Sequence, residues 1–157
     1  LGGHEHELLQ SLAGKTPKEA VSNFLDPLSL VVSCFTKSVL RHGGGYDLGE
    51  LCALAIGEDG RFKPKSQDGN IILSILMQYK IVKVDGDRGP YKVKTASYFY
   101  AIENRNQQEL VAYHWHPEGT DIPFPHIHLG KKASSKTQNT VSKRSIIQLE
   151  GFPLKSS

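Results

Sequence analysis

Four of the seven histidines fall within fifteen residues, as the pairs His114/His116 and His126/His128. Each pair has the form His-x-His. In an extended chain, side chains alternate between faces, so the two rings of a pair share one face of a strand. The segment 119–125 between the pairs is long enough to turn the chain back. The spacing therefore predicts two neighbouring antiparallel strands that bring four imidazoles to one spot.

The chain ahead of the histidines reads differently. Thr16, Pro17, Lys18 and Glu19 form a capping box with proline at the first helical position. Asp26-Pro27 repeats the cap-plus-proline signal and opens an apolar stretch through Leu28, Val31, Val32, Phe35, Val39 and Leu40, which the glycines 43–45 end. Asp47 with Glu50 is a further start signal, followed by Leu51, Leu54 and Ile56 up to the Gly57–Gly60 break. Asp68, Gly69 and Asn70 predict the start of a helix over 68–80 carrying Ile71, Ile72, Ile75, Leu76 and Tyr79. Strands are expected at 81–84 and 91–94, around a turn-rich 85–90. From Ala96 onward the pattern is strand-like, with one hairpin over 97–102 and 110–116 that Pro117 stops. Residues 131–140 are polar, and 145–149 fit either a short helix or a last strand. There is no internal repeat. The expected class is α+β in two parts. Residues 1–94 form a helical part ending in a winged-helix-like hairpin. Residues 95–157 form a small antiparallel sheet with the histidine cluster and a basic tail.

Composition narrows the class only a little. The formal charge of +3 does not by itself argue for nucleic acid. Its distribution says more: from 129 to the end there are six basic residues (Lys131, Lys132, Lys136, Lys143, Arg144, Lys155) against the single acid Glu150. That is either a solvated basic tail or a phosphate-contacting surface. Cys34 and Cys52 both sit in apolar helical patterns, as small core residues rather than a disulfide, which favours a reducing, cytoplasmic setting. No apolar run approaches the roughly 20 residues that span a bilayer. The opening Leu1-Gly-Gly, in place of Met, is expected of a trimmed chain or a fragment. His4 and His6 read as a loose chain end, and His42 as a cation at a helix C-terminus.

Two resemblances follow from these residues. Residues 47–94, in the order helix, loop, helix, hairpin, are similar to a winged-helix module, and the passage from Ile72 to Val93 resembles the end of a recognition helix entering its wing. That resemblance implies DNA contacts or a protein-binding role, with Lys63, Lys65, Ser66, Gln67, Asn70 and Arg88 as candidate contacts. Residues 96–149 resemble a family of small bacterial proteins marked by a Tyr-rich strand, His-Trp-His-Pro-Glu-Gly and Pro-His-x-His-Leu-Gly, here Ser97–Tyr100, His114–Gly119 and Pro125–Gly130. More distantly this part is similar to the toxin of a bacterial toxin-antitoxin pair, although no Asp-Asn-Ala stretch precedes the histidines here. The toxin resemblance implies a cognate antitoxin or regulatory protein as partner.

Three readings of the cluster stand side by side. In the first, His116 and His128 cleave a nucleic-acid phosphodiester as base and acid, Glu118 orients an imidazole, and Lys131, Lys132, Arg144, Lys65 and Arg88 hold phosphate. In the second, His114, His116, His126 and His128 bind a divalent transition metal such as zinc or manganese, with Glu118 or Asp121 as an oxygen ligand. A metal would also unify the two as a metal-assisted nuclease. In the third, the rings merely satisfy carbonyls and pack at strand ends. Tyr113 and Trp115 alternate with the histidines and are expected to face the other side, as sheet packing rather than a base-stacking platform. The competing class is a regulator whose winged-helix part binds DNA or protein and whose histidines are structural or sense a metal.

Overall fold

The computed structural model describes residues 12–65, 70–86, 88–117, 124–130 and 155–156. Among these residues one helix, α1 (Pro17–Phe35), precedes eight strands: β1 (Leu40–Gly43), β2 (Cys52–Ile56), β3 (Arg61–Phe62), β4 (Ile71–Lys83), β5 (Tyr91–Asn104), β6 (Glu109–Trp115), β7 (His126–Leu129) and β8 (Lys155–Ser156). They form one antiparallel sheet in the order β7-β6-β5-β4-β2-β1-β8, with β3 also on β4. The class is α+β with sheet predominating.

The capping box behaves as the sequence predicts. Thr16 Oγ1 accepts from Glu19 N at 3.1 Å, and Glu19 Oε2 accepts from Lys15 N at 2.9 Å. The Asp26-Pro27 signal does not start a second helix, because Pro27 lies inside α1. The helix tolerates it because Val21, Leu25 and Val32, on either side of Pro27, anchor one face in the core. The apolar stretch then divides: Phe35 ends the helix and Leu40 begins β1.

The winged-helix order is not what forms. The segment from Asp47 to Ile56 holds a strand, β2, and within the segment expected to be helical the residues 71–80 belong to the thirteen-residue strand β4. The physical reason lies in the apolar pattern. A continuous run such as Ile71–Lys83 satisfies helical i, i+3, i+4 spacing and strand alternation alike. Its β-branched isoleucines favour the pleated sheet, and pairing decides the outcome. Alternation sends Tyr79 and Ile81 into the core, 1% and 0% exposed. β5 runs unbroken through the expected boundary at 94/95, paired with β4 from Lys83↔Tyr91 to Ile71↔Asn104.

The core lies between α1 and one face of the central strands. Val21, Leu25 and Val32 meet Leu40, Leu54, Ile56, Tyr79 and Ile81, with Phe24 on Tyr79 and Phe35 on Phe62, each 5.8 Å between ring centres. Cys52 is buried there, as expected of a small core residue, but on a strand; Cys34 is exposed. Neither is in a disulfide. A bulge in β5, where Gln78 pairs Ser97 and Tyr79 pairs Thr95, leaves Ala96 without an opposite residue. Past it, Tyr98 and Tyr100 share the helix-side face with Met77 and Ile75, and Phe99 points to the opposite face. No helix among the described residues is long and apolar enough to cross a membrane.

Candidate metal centre

The histidine site is built by β5, β6 and β7. β6 pairs β7 with His114 directly opposite His126 and Ala112 opposite His128. Directly opposed residues share a face, and so do residues two apart on one strand. His114, His116, His126 and His128 therefore converge on one face, as the spacing predicts. Ring centres lie 4.1 Å apart for His114 and His126, 4.6 Å for His114 and His128, and 5.0 Å for both His114/His116 and His126/His128. Ala112, opposite His128, is short enough to leave room for the His114 and His128 rings to stack at 23°.

Three of the four rings are close enough to share an ion. One ring nitrogen each from His114, His126 and His128 lies within 4.8 Å of the others. Tetrahedral zinc with Zn–N of about 2.0–2.1 Å needs nitrogens roughly 3.4 Å apart, so small side-chain rotations close the set. His126 Nδ1 stands 2.8 Å from the Phe124 carbonyl, which can only accept, so Nδ1 donates there and Nε2 is the ring nitrogen left for a metal. Such a carbonyl contact is the usual outer support of a metal-binding imidazole. His116 lies 5.0 Å from His114 and 5.9 Å from His126, at the margin of the set.

The electrostatics suit an ion. Burial pushes the His114 imidazole down to about 4, and the neighbouring His126, His128 and His116 press the same way. His114 is thus neutral near pH 7, as a ligand must be. In the metal-free protein the sign is fixed: between pH 4 and 6.5 the unfolded chain binds more protons than the folded one at this ring. Stability therefore rises with pH through that window and is lost as pH falls from 6.5 toward 4. Urea midpoints at pH 4.5 and 7, with chelator present, are expected to differ less in a His114→Ala variant than in the parent.

Gly130 holds the edge strand in place. Its N–H donates to Leu110 O at 2.8 Å, and a Cβ built on it would fall 1.8 Å from Glu109 O. Gly130→Ala is expected to lever β7 off β6 and weaken metal affinity by about 10-fold or more, the scale of losing an outer-shell support, while far-ultraviolet circular dichroism stays near that of the parent.

Other sequence candidates fall elsewhere. Glu118, Asp121, Lys131, Lys132 and Arg144 lie outside the described residues, as does the segment 145–149. Lys65 serves the end of α1: its N–H donates to Phe35 O at 2.7 Å and its Nζ to Ser33 O. Arg88 is exposed in the turn between β4 and β5. Neither stands in the ring contacts of the cluster. Tyr113 and Trp115 face away from the histidines, as expected, and pack with Tyr98 at 5.4 and 5.8 Å. Phe99, which the sequence reading did not single out, lies opposite His114 with ring centres 6.1 Å apart. Only the full strand register, not the motif, could have found it.

Compared with models of known protein families, with curated proteins and with solved structures, the chain matches none.

Proposed function

We propose that the protein is a metal-assisted hydrolase of nucleic-acid phosphodiesters, of the toxin type that the histidine motifs resemble, working with a cognate antitoxin. The observation that carries this reading is the convergence of His114, His126 and His128 within ligand distance on a sheet edge. Three protein ligands leave a coordination position for water or substrate, which separates a catalytic site from a closed structural one. His128 is exposed and His114 and His126 are half-buried, so a large substrate can reach the site. A bound zinc or manganese would lower the pKa of a water and polarise the phosphoryl oxygen.

The chain's own residues divide the remaining work. His114 holds a neutral ring, and the Phe124 carbonyl orients the ring of His126. His116, beside His114, is placed to accept or return a proton. Direct acid-base chemistry by His116 and His128 alone is the second reading; the two rings flank His114, each about one ring away from it. A groove-reading DNA regulator has less support, since it would need a recognition helix where residues 71–80 run as a strand. The free cysteines fit a cytoplasmic setting.

The test is cleavage of single-stranded RNA, single-stranded DNA and a small phosphodiester by the full chain with zinc, manganese or chelator, from pH 5 to 8. Cleavage that needs metal supports the reading. Cleavage undiminished by chelator supports the His116/His128 pair instead, and no cleavage under any condition contradicts both.

A further inference from the structure

We infer that β7 is a dimerisation edge: it pairs antiparallel with β7 of a second copy of this chain about a two-fold axis at His128, and the two histidine clusters meet on one face. The inference does not depend on the hydrolase reading.

The backbone of β7 defines which groups are open. Gly130 N–H donates to Leu110 O, and the two residues stand opposite each other in the register that pairs Val111 with Leu129. In an antiparallel ladder, opposed residues that exchange hydrogen bonds alternate with opposed residues that do not. His128 and His126 therefore bond to Ala112 and His114, while the N–H and C=O of Ile127 and Leu129 point out of the sheet. β7 ends the strand order, and among the described residues no strand lies on its outer side. Bare edge strands recruit other chains, and folds blunt them with lysine, proline, bulges or short length. The four residues of β7 include neither lysine nor proline, and their register with β6 has no bulge. The opposite edge, β8, is only two residues long.

Self-complementarity makes a second copy the occupant. Pairing Ile127 with Leu129 of the second copy, in both directions, satisfies every outward N–H and C=O of these residues. Setting Ile127 against Ile127 instead puts Leu129 against Pro125, which has no N–H, and leaves the Leu129 carbonyl bare. A two-fold pair also closes on itself and keeps the faces matched, since directly opposed residues share a face. On the face that carries Tyr98 and Tyr100, the exposed Ile102, Tyr113, Ile127 and Leu129 form an apolar strip, with Ile102 next to Val111, Val111 next to Leu129, and Tyr113 next to Ile127. Ile127 and Leu129, at its outer end, are 64% and 78% exposed. Contiguous exposed apolar surface of this kind marks an interaction site. In the dimer Ile127 of each copy lies against Leu129 of the other, and the strip runs on across the axis. On the opposite face His128 meets His128 of the second copy without backbone bonds between them, the closer of the two antiparallel spacings, about 4.5 Å between Cα atoms. The imidazoles of both copies then form a single field.

Sedimentation equilibrium of the full chain in chelator, across micromolar concentrations, reads the association, beside an Ile127→Pro variant. Proline is tolerated on an edge strand where its missing N–H faces outward, so this variant keeps β7 on β6. It removes one outward donor per copy and is expected to weaken the dimer by about 10-fold or more. Cross-linking checks the register. In a Cys34→Ser background, His128→Cys is expected to oxidise to a disulfide-linked dimer in chelator, because the opposed Cα atoms lie within disulfide range. Leu30→Cys, on the exposed side of α1, is expected to stay a monomer. The cross-link decides even where Ile127→Pro loses its fold. A parent that is monomeric at every concentration means that another segment or a different protein takes the edge, and overturns the dimer. Association of a folded Ile127→Pro equal to the parent's, or cross-linking of Leu30→Cys as readily as His128→Cys, overturns β7 as the contact. Growth beyond the dimer overturns the two-fold axis.

Discussion

His114→Ala is expected to abolish tight divalent-metal binding, and His116→Ala to leave it largely in place. His114 is the hub of the cluster, with ring contacts at 4.1, 4.6 and 5.0 Å to the other three. It is the ring that burial keeps neutral. Losing an outer-shell partner already costs roughly 10–100-fold in metal affinity. Removing a ligand from a three-histidine set costs more, so His114→Ala should exceed about 100-fold. His126→Ala and His128→Ala are expected to follow closely. His116 lies outside the set of nitrogens that approach within 4.8 Å. Its removal should change the pH dependence of cleavage rather than metal retention. Competition against a chromophoric zinc chelator reads all four variants. Equal losses for all four, His116 included, would make the site a closed four-ligand centre instead.

Tyr79→Ala is expected to destabilise the fold by about 3–5 kcal/mol, the range for deleting a large buried aromatic side chain. Tyr79 is 1% exposed, pairs with Cys52 across β2 and β4, and packs on Phe24 of α1. It therefore joins helix, β2 and β4 at one point. Burial raises its pKa above the usual phenol range, with the Cys52 thiol acting in the same direction. Tyr79→Phe keeps the buried ring and is expected to cost about 1 kcal/mol or less. Urea denaturation monitored by fluorescence checks both values. A loss below about 1 kcal/mol for Tyr79→Ala would mean that residue 79 does not face the core, as the β4 register requires.

The part of the sequence with strict alternation was the most legible. His-x-His twice, with a turn-length segment between, leaves an antiparallel pair as the natural solution, and the register His114↔His126 is its direct expression. The Thr16–Glu19 cap was equally plain, because it satisfies its own backbone donors and needs no distant partner. What failed to show was anything decided by tertiary pairing. In Ile71–Lys83 apolar residues occur so densely that helix and strand periods both fit. Only the long partner strand β5 settles the matter. Once 68–80 is read as a helix, Lys80 and Lys94 have no relation, and the shared register of β4 and β5 disappears from view. The bulge at Ala96 hides it further, since it shifts the alternation between Lys94 and Phe99 by one residue. A sequence pattern can supply the ligands of a site; the neighbouring surface depends on registers set far along the chain.

The most direct test of the account is the metal content of the full, tag-free chain by inductively coupled plasma mass spectrometry after equilibration with zinc or manganese, beside a His114→Ala/His126→Ala/His128→Ala variant of matched circular dichroism. The account predicts close to one equivalent in the parent and none in the variant. No metal in the parent, or an undiminished equivalent in the variant, would contradict it.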